Sequence, residues 1–223
     1  MPGPQPTALL VTDFDGTLTT VDFYKIALER FTPPETRLVW ERYLRKELTV
    51  FETLQAVFAS IGASEAEVLA ALADLKFDPG AAAAVQQLQR AGWEVVVASA
   101  GCEWYVRRVL AAAGIDIVVH ANPGEFIEGR GLQMTMATDS PFLSARVGVD
   151  KAAIVRHGLT KYAQVAFAGD SAPDLDAARL VSDDLRFARS QLAELLEREE
   201  RPYHRYSHWA EIAEVLLARP PLE

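Results

Sequence analysis

Short apolar runs recur along the chain, separated by longer stretches in which apolar residues return every three to four positions. The runs are Ala8–Thr12 (ALLVT), Trp93–Ser99 (WEVVVAS), Ile115–His120 (IDIVVH), Gln164–Ala168 (QVAFA) and the weaker Leu185–Ala188 (LRFA). Each is too short for a helix and apolar at consecutive positions, as in strands buried on both faces. Helix boundaries punctuate the stretches between. Asp78-Pro79 reads as an N-cap and first-turn proline, Gly92 as a stop, and Gly114 as the end of a helix that begins near Cys102. Strands alternating with helices predict an α/β fold with a parallel sheet of about five strands, covered on both faces.

The alternation fails twice. Residues 21–75 carry no strand signal, only helical segments broken at Pro33-Pro34, Thr49 and Gly62, with aromatic residues at spacings that suit helix faces. A crossover needs only about a dozen residues, so this stretch predicts a small helical bundle inserted between the first two strands; a long helical crossover on the sheet is the other reading. Residues 121–144 hold Gly124, Gly129 and Gly131 and alternate over Leu132–Ala137, which predicts a β-hairpin at the sheet edge.

Composition narrows the function classes. Of 223 residues 50% are apolar, ample for a core, and 22 Lys+Arg against 31 Asp+Glu leave a net charge of −9. An acidic surface releases no phosphate counterions, which argues against nucleic-acid and anionic-membrane partners. The single Cys102 excludes an internal disulfide and suits a reducing compartment. No basic leader precedes Lys25 and no run reaches membrane-spanning length. The expectation is a cytoplasmic protein, monomer or homodimer.

Ligands of parallel α/β sheets bind beyond the carboxyl ends of the strands. There the chain places Asp13-Phe14-Asp15-Gly16-Thr17-Leu18-Thr19, then Ser99-Ala100-Gly101, then Gly169-Asp170-Ser171-Ala172-Pro173-Asp174. Asp13 and Asp15, two apart in extended backbone, face the same side. With Asp170 they form an all-oxygen set that suits Mg²⁺. Each aspartate, taken singly, also suits a turn or cap. Ser99-Ala100-Gly101 leads into a helix whose free N–H groups favour an anion, although a serine there also reads as a simple N-cap. Lys151 opens the helical segment Ala152–Gly158, where a cation opposes the dipole and so implies a partner elsewhere.

These motifs, in this order, resemble the four signatures of the haloacid dehalogenase-like hydrolase superfamily, and the helical insert resembles the mobile cap of its phosphoserine phosphatase-like branch. The resemblance implies a Rossmann-like catalytic core of residues 1–20 and 77–223 with a helical cap of residues 21–76. It implies a phosphatase in which Asp13 attacks phosphorus, giving an aspartyl-phosphate, while Asp15 protonates the leaving group and then activates water. Mg²⁺ is then held by Asp13, the backbone carbonyl of Asp15 and Asp170. The phosphoryl oxygens fall to Ser99, Ala100, Gly101 and Lys151, with Asp174 and Ser171 in support.

Departures bear on the substrate. Gly16 and Ala100 stand where phosphoserine phosphatases commonly carry serine and glycine. Asp22 occupies the position of a substrate-binding glutamate, and no cap arginine singles itself out. The G-D-S-x-x-D variant, the tail F-A-R…W-A-E-I (187–212) and the A-N…F stretch (121–126) are similar to the methionine-salvage phosphatases acting on 2-hydroxy-3-keto-5-methylthiopentenyl-1-phosphate. That small phosphorylated metabolite is the first expectation, and phosphoserine the second. A receiver-like phosphoacceptor also combines acidic residues and Mg²⁺ on such a sheet, but leaves Asp15 and the insert without a role. Cys102, Trp93 and Trp104 are expected in the core, and His204, His208 and the run Glu197–Arg201 on the surface.

Overall fold

The structure, a computed structural model, describes residues 6–219, so the ends of the expected core, 1–5 and 220–223, lie outside the described residues. The chain opens with β1 (Ala8–Thr12), followed by α1 (Phe23–Arg30), α2 (Arg37–Leu44), α3 (Val50–Ala59) and α4 (Glu65–Ala71). Then come α5 (Ala81–Arg90), β2 (Trp93–Cys102), α6 (Glu103–Ala112), β3 (Val118–Asn122), β4 (Gly124–Ile127) and β5 (Gly131–Met134). A two-residue pair, β6 (Leu143–Ser144) and β7 (Gly148–Val149), precedes α7 (Lys151–Leu159) and β8 (Gln164–Gly169). The chain closes with α8 (Leu175–Ala178), β9 (Arg186–Ala188), α9 (Ser190–Arg198), β10 (His204–Arg205) and α10 (Ala210–Leu217).

The sheet has six strands in the order β10-β9-β8-β1-β2-β3, all parallel. It exceeds the five predicted by β10, whose two residues are too few to show an alternation. The third strand starts at Val118 rather than Ile115, and β2 runs on to Cys102 rather than stopping at Ser99. Alternate residues of the central strands feed opposite cores. Ala8, Leu10, Val95, Val97 and Ala166 face the layer of α5, α6 and α10, while Leu9, Val11, Val96, Val165 and Phe167 face α7, α8 and α9.

Five helices separate β1 from β2, and the first four, α1 to α4, leave and re-enter through a narrow neck. Thr19 bridges Phe77, Thr20 N–H reaches Leu75 O at 3.2 Å, and Asp78 N–H reaches Leu18 O at 3.0 Å. Capping boxes start α3 (Thr49 with Glu52) and α4 (Ser64 with Glu67). The hairpin appears as antiparallel β4–β5 and supports α3, where Gln55 Nε2 donates to Met134 O at 2.8 Å. Among the described residues no helix is long and apolar enough to cross a membrane.

Candidate active site

Register decides what meets at the sheet edge. Thr12 lies opposite Val97 on one side and Ala168 on the other, so the chain beyond β1, β2 and β8 opens into one cavity of about 680 Å³. Asp13 leaves β1 with its N–H on Ala168 O at 2.9 Å, and its side chain is buried. Lys151 Nζ, 4% exposed, donates to Asp13 Oδ1 at 2.5 Å and to Asp174 Oδ1 at 2.6 Å. These two bonds account for a lysine in the first turn of α7, whose N-cap Asp150 accepts from Ala153 N–H at 2.9 Å. Asp174 Oδ2 in turn accepts from Asp170 N–H, Ser171 N–H and Ser171 Oγ at 3.1, 2.9 and 3.1 Å, which fixes the loop after β8.

Asp13, Asp170 and Asp174 bring carboxylate oxygens within 4.8 Å of one another. Three carboxylates against one ammonium leave two negative charges in a largely buried group. Burial pushes the Asp13 carboxyl up; Lys151 opposes this, and Asp174 and Asp170 reinforce it. Asp170 is pushed up to about 7, by burial first and then by Asp174 and Asp22. Burial also disfavours the Lys151 ammonium, but Asp13 and Asp174 more than compensate and hold its proton firmly. Hard oxygen donors with surplus negative charge fit a divalent cation such as Mg²⁺. Asp15, assigned to the metal through its backbone carbonyl, keeps its carboxylate outside this trio.

The loop after β1 needs a residue without Cβ. Gly16 has φ +76°, and a Cβ there would lie 2.3 Å from Asp170 Oδ2. Thr17 Oγ1 donates to Asp170 Oδ1 at 3.3 Å. Arg189, just past β9, ties the loop down by donating to Gly16 O, Thr17 O and Thr19 O at 2.6, 3.1 and 2.7 Å. The sequence marked this arginine only as part of a motif, since nothing in a pattern shows that its partners are backbone carbonyls far away in the chain.

Ser99 is buried and Ala100 and Gly101 line the cavity, but the run is strand and not the first turn of a helix. Ser99 Oγ accepts from Gly101 N–H at 2.9 Å, and Asn122 of β3 donates from Nδ2 to Ala100 O at 2.8 Å. These bonds hold the backbone extended until Cys102, the N-cap of α6. Asp15 accepts from Phe23 N–H on Oδ1 at 2.9 Å and from the Tyr105 hydroxyl on Oδ2 at 2.5 Å. Burial, then Asp22, pushes its carboxyl up to about 6, while the bonds from Tyr105 and Phe23 pull the other way. Tyr105 escaped the sequence reading because its spacing on α6 is that of an ordinary core residue.

The opposite wall comes from the inserted helices. Tyr24 and Trp40 stack at 4.8 Å, Tyr43 meets Trp40 at 5.1 Å, and Leu44, Leu54 and Phe58 extend the apolar lining. Asp22 lines the cavity too, with Lys25 Nζ at 2.9 Å from Oδ2. Cys102 is buried and its thiol is pushed up to about 12 by burial, which removes it as a nucleophile. Trp93 and Trp104 are core residues. His208 is exposed, whereas His204 is half-buried in β10 and stacks on Phe187 at 5.2 Å, so the two are not an exposed pair. Of the acidic run, Glu197 and Arg198 close α9, and Glu199 pairs with Arg179 in the turn beyond.

Asp13 and Asp174 share the buried Lys151 and stand with Asp170 at the carboxyl edge of a parallel sheet. The chain belongs to the haloacid dehalogenase-like hydrolase family, whose model matches residues 10–179, and it is a phosphatase of that family. It is 28% identical over 214 residues to the 2-hydroxy-3-keto-5-methylthiopentenyl-1-phosphate phosphatase of Microcystis aeruginosa, covering 95% of this chain and 98% of that one. It is 33% identical over 125 residues to the phosphoserine phosphatase of Idiomarina loihiensis, covering 55% of this chain and 56% of that one. The solved structure of a probable phosphoserine phosphatase from Vibrio cholerae superposes with a TM-score of 0.69 at 21% identity, covering 96% of this chain and 66% of that one.

Proposed function

We propose that the protein is a Mg²⁺-dependent phosphomonoesterase that works through an aspartyl-phosphate on Asp13, with 2-hydroxy-3-keto-5-methylthiopentenyl-1-phosphate as its substrate and residues 21–76 as a cap. Asp13, a carboxylate, needs no activating base to attack phosphorus. Lys151 offsets charge on Asp13 and on the incoming phosphoryl group, and Asp174 holds Lys151 in place. The Ser99 hydroxyl, oriented by the Gly101 N–H that it accepts, and the Ala100 amide receive phosphoryl oxygens, and the Gly101 amide joins them by leaving Ser99 Oγ. Asp13, Asp170 and the Asp15 carbonyl would hold Mg²⁺, which supplies neutralisation of the substrate phosphate. Asp15, with its carboxyl already near neutral pH, donates a proton to the leaving oxygen and later takes one from water.

The cavity wall carries the choice of substrate. Each cation lining the cavity is engaged: Lys151 by two carboxylates, Lys25 by Asp22, and Arg189 by backbone carbonyls. A phosphoserine carboxylate would have to share Lys25 with Asp22, since Lys151 and Arg189 are held elsewhere, whereas an apolar, polarizable methylthio tail suits the Tyr24–Trp40–Tyr43 face. The similarity to the Microcystis phosphatase supports the same reading.

The test is phosphate release from that ester, phosphoserine and other small phosphate esters, with Mg²⁺ and with EDTA. Mg²⁺-dependent turnover favouring the methylthio ester is expected. Preference for phosphoserine overturns the substrate, and a long-lived phosphoprotein without turnover overturns the enzyme in favour of a phosphoacceptor.

A further inference from the structure

Asp15 is held from two sides. Phe23, whose N–H binds Oδ1, is the first residue of α1, while Tyr105, whose hydroxyl binds Oδ2, sits in the first turn of α6. The Tyr105 ring is 1% exposed and packed by Phe14, Phe23 and Phe58 at centroid distances of 6.0, 4.4 and 6.1 Å, so its hydroxyl has a fixed direction. Gly101 makes the approach feasible: a Cβ there would lie 1.8 Å from the Tyr105 hydroxyl and 3.1 Å from Asp15 Oδ2. The absent side chain of the phosphate loop is thus the space through which α6 reaches Asp15.

We infer that Tyr105 is a positioning residue that sets the plane of the Asp15 carboxyl for proton delivery to the leaving group. The inference rests on the aspartyl-phosphate reading. In the first step an Asp13 oxygen bonds to phosphorus, the ester P–O bond breaks, and the Asp15 proton passes to the departing oxygen. In the second, water oxygen bonds to phosphorus, the Asp13 O–P bond breaks, and the water proton returns to Asp15. Two fixed donors orient the carboxyl, while each of its oxygens keeps a second lone pair for the travelling proton. Losing one donor leaves the carboxyl free to turn about its side-chain bond, and misorientation lowers a proton-transfer rate without altering phosphate binding.

The experiment compares Tyr105→Phe with wild type on 4-nitrophenyl, phenyl and benzyl phosphate with Mg²⁺, by single-turnover release of the leaving group. The three share a ring and differ in how much the departing oxygen needs a proton. The variant-to-wild-type rate ratio is expected to fall along the series by roughly 10- to 100-fold, the range of a lost hydrogen bond to a charged group, with KM little changed. Because each variant is compared with itself across substrates, a reduced folded fraction cancels. Tyr105→Phe keeps the ring packed by the three phenylalanines, and if it does not fold, Tyr105→Met, whose flexible side chain fills irregular core gaps without a hydroxyl, is read in the same way. A ratio constant along the series, or a change confined to KM, overturns the role of Tyr105. Absence of Mg²⁺-dependent release by wild type overturns instead the phosphatase mechanism on which it rests.

Discussion

The floor and the roof of the cavity are built in opposite ways. On the floor, Asp13, Lys151 and Asp174 have side chains at most 6% exposed, and every partner is a specific charged or polar atom at hydrogen-bond distance. On the roof, α2 buries none of its residues, Leu44 is 66% exposed, and the helix contributes aromatic faces to the cavity. A buried ion cluster does not tolerate loss of one member, because the charge left unpaired in a dry site costs about 3–5 kcal/mol. Stacked rings on a half-exposed helix are worth about 0.5–1.5 kcal/mol each beyond burial and can be exchanged. On the proposed reading chemistry belongs to the floor, and substrate choice to the roof, where change costs little stability.

Breaking the floor gives the largest effects. Asp13→Asn is expected to lower turnover by at least roughly 10³-fold, since it turns the attacking carboxylate into a neutral, weakly nucleophilic amide. Phosphate release by the purified, folded variant checks this; retention of a tenth of wild-type activity would place the nucleophile elsewhere. Lys151→Met leaves Asp13 and Asp174 facing each other without a cation. A cost of about 3–5 kcal/mol is expected for the metal-free protein, or about 10 °C in Tm for a chain of this size. Calorimetry with EDTA reads it. On the roof, Lys25→Ala breaks a pair whose lysine is 58% exposed, and Tm should move by no more than about 2 °C.

That contrast also explains what the sequence revealed. Asp13, Asp15, Asp170 and Asp174 stood out because acidic residues gather after buried strands marked by unbroken apolar runs, although each alone also suits a turn, and Lys151 because a cation in a first turn opposes the dipole. Tyr24, Trp40 and Tyr43 were visible only as aromatics at helical spacing, a pattern shared with any core-facing helix, and nothing local said that they face a cavity. Tyr105, Asn122 and Arg189 act across 90, 22 and up to 173 positions respectively, through contacts that no local pattern encodes. β10 was missed for want of length. The end of β2 was misplaced because its last residues pair with β3, where Asn122 lies opposite Cys102 and holds Ala100 O, and that influence is not local propensity.

The floor should also make stability depend on pH and metal. Asp15 and Asp170 hold protons up to about 6 and about 7 in the fold, against about 4 for an unfolded carboxyl. Between those values the folded chain carries more protons than the unfolded one, so metal-free stability falls as pH rises from about 4 to 7. A bound dication favours the ionised carboxylates, so adding Mg²⁺ should flatten the decline. Tm measured from pH 4 to 8 with EDTA and with Mg²⁺ tests the sign. A metal-free Tm that rises across this window would show that these carboxyls are not the controlling groups.

A substitution in the aromatic face of the roof probes its role directly. Tyr43→Ala removes the outer ring of the Tyr24–Trp40–Tyr43 stack without touching the floor. If this face only holds the tail of the substrate, it binds ground state and transition state alike. Its loss then raises KM, by roughly 10-fold for about 1.4 kcal/mol of lost contact, and leaves kcat in place. The same substitution should scarcely affect a phosphate ester too short to reach the ring. A fall in kcat for both substrates would mean that the roof also shapes the reacting geometry, and that the division between a rigid chemical floor and an exchangeable selecting roof is wrong for this protein.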